Sequence, residues 1–482
     1  MSVGRTLAQG AAWTYGAQLV TVALQFGYAS VTTRVLNDDA FGAYAVALSV
    51  TGFAALLSTG GIGQTIGRMT ELDARRLHGL MTYATGLGAI AAAVVWFTAP
   101  LWTVIWDAPG ALGPIQWFSI SAGFAPLLGF AAGYVRRIGK FRQLAIFTLV
   151  ANVVGMAIGV AAVLTWNDAE TLLVFPLVAQ LVTLIGALTL SDPRHLGFGS
   201  IASARGDVAF SWRVTVASLL SYGIGNIVKI GTSRVLGPGY LGQWNRADVL
   251  SAIPFQQVQA ALIPVIYPEF RHDLSGSERT RTVWTDMLSL VAWVVLPTSG
   301  IAAVIIPTIL PVLFGSGWGI AIAISPVICV AAAIQVVSTL LASAVEALGK
   351  FRWIWWTQGL LLLIQLLAVL AISVFQSIVP AMIALVVTML AQHLVYICLC
   401  VKDDYLDGRR LLTTYGVVTF ASVAAYLVAQ SLLWMATSLF ALAPAASLLT
   451  LIPVAALILV LWALRWKLTP VKIARKYGLL RG

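Results

Sequence analysis

Apolar residues occur along this sequence in runs of about 20, separated by short polar connections. A helix of that length crosses a hydrocarbon core of roughly 30 Å, because each helical residue adds about 1.5 Å. The alternating apolar and polar positions of a membrane β-barrel are missing. We therefore predict fourteen transmembrane helices, over residues 11–34, 41–63, 79–98, 113–135, 143–165, 171–190, 210–236, 244–267, 284–306, 319–345, 353–374, 379–401, 412–434 and 446–466.

The composition agrees with this pattern. Of the 482 residues, 60% are hydrophobic and only 10% are charged, whereas a soluble protein needs a polar surface. The predicted class is an all-α polytopic membrane protein.

Lys and Arg are concentrated in every second connection. The N-terminal segment, these connections and the C-terminal tail together hold 24 of the 29 cationic residues. Cytoplasmic loops carry the excess of Lys and Arg, so both termini are predicted to be cytoplasmic. An even number of spans agrees with this, because it places both termini on the same side of the membrane. The net charge of +11 then needs no nucleic-acid partner. The other connections hold no cation, and their charged residues are Asp38, Asp39, Asp107, Asp168 and Glu170.

Two motifs occur twice in the chain. Residues 32–44 read TTRVLNDDAFGAY and residues 232–244 read TSRVLGPGYLGQW, with five identical positions. The tetrapeptide GKFR stands at 139–142 and again at 349–352, in the connections that follow spans four and ten. Matched motifs at matched places predict that spans seven to twelve repeat spans one to six in the same orientation. Parallel six-helix repeats are a transporter architecture, with the substrate path between the two bundles.

The repeat divides the chain into four predicted segments. They are an N-terminal six-helix lobe at 1–190, a cytoplasmic linker at 191–209, a C-terminal six-helix lobe at 210–401, and two extra helices with a basic cytoplasmic tail at 402–482.

Five cationic residues fall in predicted spans or at their ends: Arg34, Arg213, Lys229, Arg234 and Arg246. An ionisable group at membrane depth is costly unless it faces a cavity, a partner or the interface. Arg213 is expected to snorkel to the cytoplasm from the first turn of its span. For Arg34 and Arg234, near the outer ends of spans one and seven, snorkelling outward and facing a cavity both remain open.

Lys229 is the cation that the repeat does not explain. It lies seven residues before Leu236, about 10 Å inside the outer end of its helix, and its counterpart in the first copy is Ala29. Asn226 shares its helix face. An ammonium group with space beside it suits an anionic group such as a phosphate, and the alternative is an ion pair with an acid such as Asp248.

Span eight is unusually polar for a membrane helix. Arg246 and Asp248 open it, Gln256 lies near its middle, and two prolines interrupt its backbone hydrogen bonds. These features favour a cavity wall, with polar contacts between helices as the alternative. Glu346, at the inner end of span ten, is expected to pair with Lys350 four residues later, while a role in proton coupling stays open.

Motifs of enzymes and metal sites are missing from the sequence. It contains no GxxxxGK[ST], no HExxH, no nucleophile elbow and no Cys/His metal cluster. The three cysteines lie in apolar runs, which argues against a disulfide framework. His393, within span twelve, is expected to form a hydrogen bond between helices. We expect no enzyme, no metal and no cofactor, and coupling to a cation gradient or to the membrane potential remains open.

Three groups of residues resemble those of the polysaccharide-transport (Wzx-type) flippases of the multidrug/oligosaccharidyl-lipid/polysaccharide (MOP) exporter superfamily. They are the opening block RVL…FGAY…GIG, the block RVLGPGYLGQWNRAD…IPVIYPEFR and the paired GKFR connections. The resemblance covers the whole chain, including its plan of six, six and two helices.

This resemblance implies a flippase that moves undecaprenyl-pyrophosphate-linked oligosaccharides across the bacterial cytoplasmic membrane, for surface polysaccharide or exopolysaccharide synthesis. Two lobes would enclose a cationic cavity and alternate between inward-open and outward-open states. The implied partners are the lipid-linked oligosaccharide, membrane lipids, and the polymerase and glycosyltransferases of the same pathway. In that family spans one, two, seven and eight line the cavity, which implies Lys229, Arg234 and Arg34 as its cations. With the polar residues identified above, the predicted substrate-binding residues are Lys229, Arg234, Arg34, Asn226, Arg246 and Gln256.

Three alternatives stay open at this point. One is a lipid II flippase of the same fold. Another is a cation-coupled drug exporter of the same superfamily, although cationic drugs call for acids in the cavity. A membrane scaffold or a polymerase is the third, although a polymerase normally has a large outer loop.

Overall fold

The computed structural model describes residues 20–59, 61–69, 71–272 and 277–440. The predicted span at 446–466, the start of the first span and the basic tail lie outside the described residues. The side chain of Arg213, for which we predicted snorkelling, lies outside them as well.

Every long element in the described part of the chain is an α-helix. Numbered in chain order, the helices are α1 (20–35, as far as it is described), α2 (Asp38–Thr59), α3 (Ile62–Arg68), α4 (Ala74–Trp106), α5 (Leu112–Arg137), α6 (Phe141–Trp166), α7 (Val174–Leu190), α8 (Arg205–Leu236), α9 (Pro238–Ser251), α10 (Ile253–His272), α11 (Glu278–Phe314), α12 (Gly319–Ala347), α13 (Phe351–Phe375), α14 (Val379–Lys402) and α15 (Gly408–Phe440).

These helices confirm the all-α membrane class. Where the structure describes them, the first thirteen predicted spans coincide with helical structure, and 10 helices of the described residues are long and apolar enough to cross a membrane. The long helix α8 and the pair α9–α10 are not among those 10. These helices contain four of the five cationic residues that fall in predicted spans or at their ends, and they contain the polar span eight.

Span eight differs from its prediction, because it consists of two helices rather than one. α9 ends at Ser251 and α10 begins at Ile253. Pro254 is the second residue of α10, and its ring would clash with the carbonyl four residues earlier in a continuous helix. The break between α9 and α10 therefore lies just before this proline, as its ring requires.

The chain forms two compact units, Met1–Asn245 and Arg246–Gly482. In the first unit, α5 packs against α4, α2 and α7, and α6 packs against α7. In the second unit, α12 packs against α11, α10 and α14, and α13 packs against α14. The pairs match when spans seven to twelve are aligned with spans one to six, which supports the duplication.

The division into units falls later in the chain than the predicted linker at 191–209. The reason is that α8 packs against α2, α3 and α4 of the first half. The linker at 191–209 is inferred from the sequence repeat, and its role as a boundary between lobes stays a prediction.

The GKFR motif has the same local structure in both copies. Gly139 and Gly349 end their turns with φ of 79° and 69°, a region that glycine adopts at little cost. The ammonium of Lys140 donates at 2.8 Å to the carbonyl of the last residue of α7. Lys350 forms an ion pair with Asp403, the residue that follows α14. Since α7 and α14 are equivalent in the repeat, the lysine holds the same helix end in both copies.

The ion pair expected between Glu346 and Lys350 is therefore replaced by a tertiary one. Besides its pairing with Asp403, the Lys350 ammonium lies over the rings of Trp353 and Tyr405, 4.2 and 5.0 Å from their centroids. The Glu346 side chain is exposed. An exposed Glu–Lys pair on one helix contributes only about 0.2–0.5 kcal/mol. The contacts of Lys350 with Asp403 and with two aromatic rings are together more favourable.

The interhelical hydrogen bond expected for His393 is confirmed. Its Nε2 lies 2.9 Å from the hydroxyl of Tyr415, so the bond joins α14 to α15. All three cysteines are free thiols, as their apolar surroundings predicted.

α2 and α9 cross at a pair of glycines that are equivalent in the repeat. A Cβ atom on Gly42 would fall on the carbonyl of Pro238, and one on Gly242 would fall on the carbonyl of Asp38. Gly42 and Gly242 are 200 positions apart, and so are Asp38 and Pro238, so the contact is the same seen from either copy. Gln243 adds a hydrogen bond of 3.3 Å from its Nε2 to the Asp38 carboxylate. The glycine of the repeated motif thus serves the close approach of the two helices.

We expect Gly42→Ala and Gly242→Ala each to lower the midpoint of thermal unfolding of the purified protein in detergent. The added methyl group would overlap a backbone carbonyl, and such overpacking typically costs about 1–3 kcal/mol. Gly86→Ala on α4 is the matched control, because a Cβ there meets nothing within 4 Å and alanine favours the helix. Wild-type midpoints in both crossing variants would contradict the close contact.

Candidate functional site

A cavity of about 390 Å³ lies between α2, α8 and α9 in the first unit. Lys229 and Asn226 both line it, in agreement with the shared helix face inferred from their spacing. The remaining lining residues come from three helices: Tyr222 and Gly225 of α8; Ala45, Leu48 and Ser49 of α2; and Leu241, Trp244 and Asn245 of α9.

Small side chains provide the space beside Lys229. A Cβ on Gly225 would meet nothing within 4 Å, so this turn of α8 leaves the cavity open. Alanine and serine form part of the facing wall on α2. The Lys229 ammonium lies 5.7 Å from the centroid of the Trp244 ring, within range of a cation–π interaction. Trp244 is itself buried, so its ring is a fixed contact for the lysine side chain.

Hydrogen bonds fix the polar wall of the cavity. The Tyr222 hydroxyl donates at 3.1 Å to the Ser49 carbonyl on α2. Asn226 donates from Nδ2 at 2.8 Å to the Tyr222 carbonyl. The Tyr222 ring also packs edge-on against Phe53, with the centroids 4.8 Å apart. Two helices therefore hold this wall in one arrangement.

The charge of the cavity has one sign. Of the described residues that line it, Lys229 is cationic and none is acidic. Near a protein surface, with an effective dielectric constant of about 20, a unit anion about 4 Å from an ammonium group gains about 4 kcal/mol of Coulomb energy. An ammonium group also offers three hydrogen-bond donors. The arrangement suits a ligand with a phosphate or carboxylate group.

Arg234, by contrast, lies at a helix end. Its Nη1 donates to the carbonyls of Val104 and Ile105 at 3.1 and 3.4 Å. The hydroxyl of the preceding residue, Ser233, donates at 2.7 Å to the carbonyl of Trp106. These carbonyls lie in the last turn of α4, where few backbone N–H donors remain and the carbonyls carry partial negative charge. The repeated motif therefore caps a helix here, and a substrate-binding role for Arg234 stays a prediction.

The other predicted site residues are spread over three helices. Arg34 is exposed at the end of α1, Arg246 is buried on α9, Asp248 is partly buried on the same helix, and Gln256 is exposed on α10. None of these four is among the described residues that line the Lys229 cavity. Their roles in substrate binding or coupling remain predictions.

Sequence reasoning missed several residues of this cavity, among them Tyr222, Trp244 and Ser49. Tyr222 lies four and seven residues before Asn226 and Lys229, a spacing that puts all three on one helix face. Trp244 is the aromatic counterpart of Tyr44 in the repeated motif. Both signals were present in the sequence, whereas the contribution of Ser49 depends on how α2 packs and left no signal.

We expect Ser233→Ala to lower the free energy of unfolding by about 1–3 kcal/mol, because it leaves the buried Trp106 carbonyl without its donor. The midpoint of thermal or denaturant unfolding in detergent measures this. Ser373→Ala is the matched control, since that exposed hydroxyl donates only within its own helix. Equal effects of the two substitutions would contradict the capping role.

The sequence matches a known family over more than half of its length. A family model described as "Polysaccharide biosynthesis protein" matches residues 31–323. This range begins in α1 and includes α2, α8 and α9, the three helices that form the Lys229 cavity.

Individual relatives and a solved structure agree. The "Lipopolysaccharide biosynthesis protein WzxC" of Escherichia coli (strain K12) is 23% identical over 363 residues, covering 73% of this chain and 72% of that protein. The "Succinoglycan biosynthesis transport protein ExoT" of Rhizobium meliloti (strain 1021) is 25% identical over 323 residues, covering 66% and 64%. The structure of "Lipid II flippase MurJ, inward closed conformation" superposes with a TM-score of 0.70 at 11% identity, covering 94% of this chain and 98% of that one. At that identity the superposition establishes the fold alone. The chain therefore belongs to the polysaccharide biosynthesis protein family and shares the fold of the MurJ structure, in agreement with its resemblance to the polysaccharide-transport flippases.

Proposed function

We propose that this protein is a flippase that carries undecaprenyl-pyrophosphate-linked oligosaccharide units across the bacterial cytoplasmic membrane for polysaccharide synthesis. The observation that carries the proposal is Lys229. Its ammonium group lines a cavity whose described wall contains no acid, in a chain that belongs to the polysaccharide biosynthesis family. Ionisable residues at membrane depth are rare and commonly mark the path of a substrate.

In this proposal Lys229 binds the pyrophosphate of the lipid head group. The volume of about 390 Å³ lies near the lower end of small-molecule pockets, which span about 300–1,000 Å³. We therefore assign the cavity to the pyrophosphate end of the head group rather than to the whole oligosaccharide. Amide and hydroxyl groups of Asn226, Asn245 and Ser49 offer hydrogen bonds to the adjoining polar atoms.

Transport then follows alternating access. The head group enters from the cytoplasm, the polyprenyl chain stays in lipid, and a change of state presents the head group to the outside. A head group with about two negative charges gains outward drive from the membrane potential, roughly 2.3 kcal/mol per charge per 100 mV. Coupling to a cation gradient would add to this drive. Glycosyltransferases that build the oligosaccharide and a polymerase that joins its units are the expected partners.

Two other functions fit the observations less well. A cation-coupled drug exporter needs acidic groups for its cationic substrates, and the described lining of the Lys229 cavity has none. A lipid II flippase would share the fold, but the family match is to polysaccharide biosynthesis proteins. Both relatives that span most of the chain carry polysaccharide names.

We expect Lys229→Ala to lower polysaccharide output about tenfold or more in a strain that depends on this gene. Loss of a charge-assisted hydrogen bond costs about 1.5–3 kcal/mol, which corresponds to at least a tenfold change in binding. Lys229→Arg should retain most of the output, because the charge is kept. The measurement is polymer per cell at protein levels matched by immunoblot.

Lys402→Ala is the matched control for this test. Lys402 is an exposed lysine at the end of α14 and does not line the cavity. Unchanged output for Lys229→Ala at equal protein levels, or an equal loss for Lys402→Ala, would refute the cavity-cation proposal.

A further inference from the structure

The helix α13 carries an exposed groove on one face. Its lining residues are three or four positions apart, so they share that face: Arg352, Trp355, Trp356, Gly359, Leu360 and Leu363. The groove has a volume of about 710 Å³. The two indole side chains are 56% and 71% exposed, and a Cβ on Gly359 would meet nothing within 4 Å. Trp355 and Trp356 thus form the walls of the groove, and Gly359 forms its open floor.

The dimensions of the groove match one leaflet of a membrane. The apolar span of this helix is Arg352–Phe375, so Arg352 stands at the boundary with water. From Arg352 to Leu363 the groove extends eleven residues, or about 16 Å at about 1.5 Å per residue. Half of a hydrocarbon core is roughly 15 Å. An acyl chain that starts at Arg352 would therefore end near the middle of the bilayer.

Arg352 is available to a ligand, in contrast to the lysine two positions earlier. Lys350 is held by Asp403 and by two aromatic rings. The Arg352 side chain is exposed. Its planar guanidinium offers paired donors that fit the oxygens of a phosphate group. Tryptophans at this depth place their rings at the level of the lipid head groups.

The repeat shows that the scaffold does not require this groove. Arg352 belongs to the second GKFR motif, and its counterpart in the first is Arg142. The tryptophans at 353, 355 and 356 and the glycine at 359 correspond to Gln, Ala, Ile and Leu in the first copy. The same helix position thus carries a grooved, indole-lined face in one copy only.

We propose that this face of α13 binds one anionic phospholipid, such as phosphatidylglycerol, in the leaflet that meets the Lys/Arg-rich connections. The lipid phosphate accepts hydrogen bonds from the Arg352 guanidinium. One acyl chain lies between the indoles and over Gly359. A zwitterionic lipid binds less well, because its ammonium group meets the guanidinium charge. The inference is independent of which substrate the protein transports.

The test is native mass spectrometry of the purified full-length protein in detergent. The protein is mixed with phosphatidylglycerol or with phosphatidylcholine of the same acyl chains, at equal concentrations. We expect the wild type to retain phosphatidylglycerol preferentially. Arg352→Gln should lower that retention about fivefold, as loss of one exposed charge-assisted contact does. Gly359→Leu should lower it as well, because the added side chain fills the floor of the groove.

Arg142→Gln is the matched control, since it removes the equivalent arginine from the copy without tryptophans. An equal loss from both arginine variants would mean general surface attraction and overturn the proposal. Displacement by glycerol phosphate would show that no acyl chain is needed, and equal competition by undecaprenyl phosphate would assign the groove to the carrier lipid. Loss of a dimer peak on Arg352→Gln would assign it to a second copy of the chain. Each of these outcomes also overturns the proposal.

Discussion

The glycine crossing of α2 and α9 is the contact on which the candidate site depends. Gly42 and Gly242 let the two helix backbones approach more closely than any side chain allows. The cavity walls begin within one turn of these glycines, with Ala45 on α2 and with Leu241 and Trp244 on α9. A longer distance between the helices would move Trp244 away from the Lys229 ammonium. The duplicated motif therefore sets the geometry of a site that neither copy contains by itself.

The duplication separates scaffold from chemistry. Features shared by both copies serve the scaffold: the crossing glycines, the left-handed glycine of GKFR and the lysine that follows it. The features to which we assign specific chemistry occur in one copy only: Lys229, opposite Ala29, and the tryptophans that follow Arg352. A residue that the scaffold does not need, and that is costly or exposed where it stands, requires another explanation.

The sequence predicted the spans and the cavity lysine, because both follow from local patterns. Apolar length fixes a membrane helix, and a shared helix face fixes the neighbourhood of Lys229 and Asn226. The sequence-based predictions failed where a residue contacts a part of the chain that is remote in the sequence. The carbonyls that Arg234 caps lie 130 and 129 positions away. Likewise, Lys350 pairs with Asp403 rather than with Glu346, the partner expected from the spacing. No pattern of spacing within one helix indicates which helix end will lie beside it.

A transport site must release its ligand as well as bind it. A ligand shifts an equilibrium between two states only by the difference in its affinity for them. If several cations surrounded a pyrophosphate in every state, the Coulomb energy of each, about 4 kcal/mol at a distance of about 4 Å, would deepen binding without creating such a difference. In the proposed function, Lys229 meets the pyrophosphate from a wall shared by α2, α8 and α9. Because three helices build that wall, a small change in their packing alters the distance from ammonium to phosphate, and with it the affinity. A wall made of several helices therefore suits a site that must both bind and release an anion.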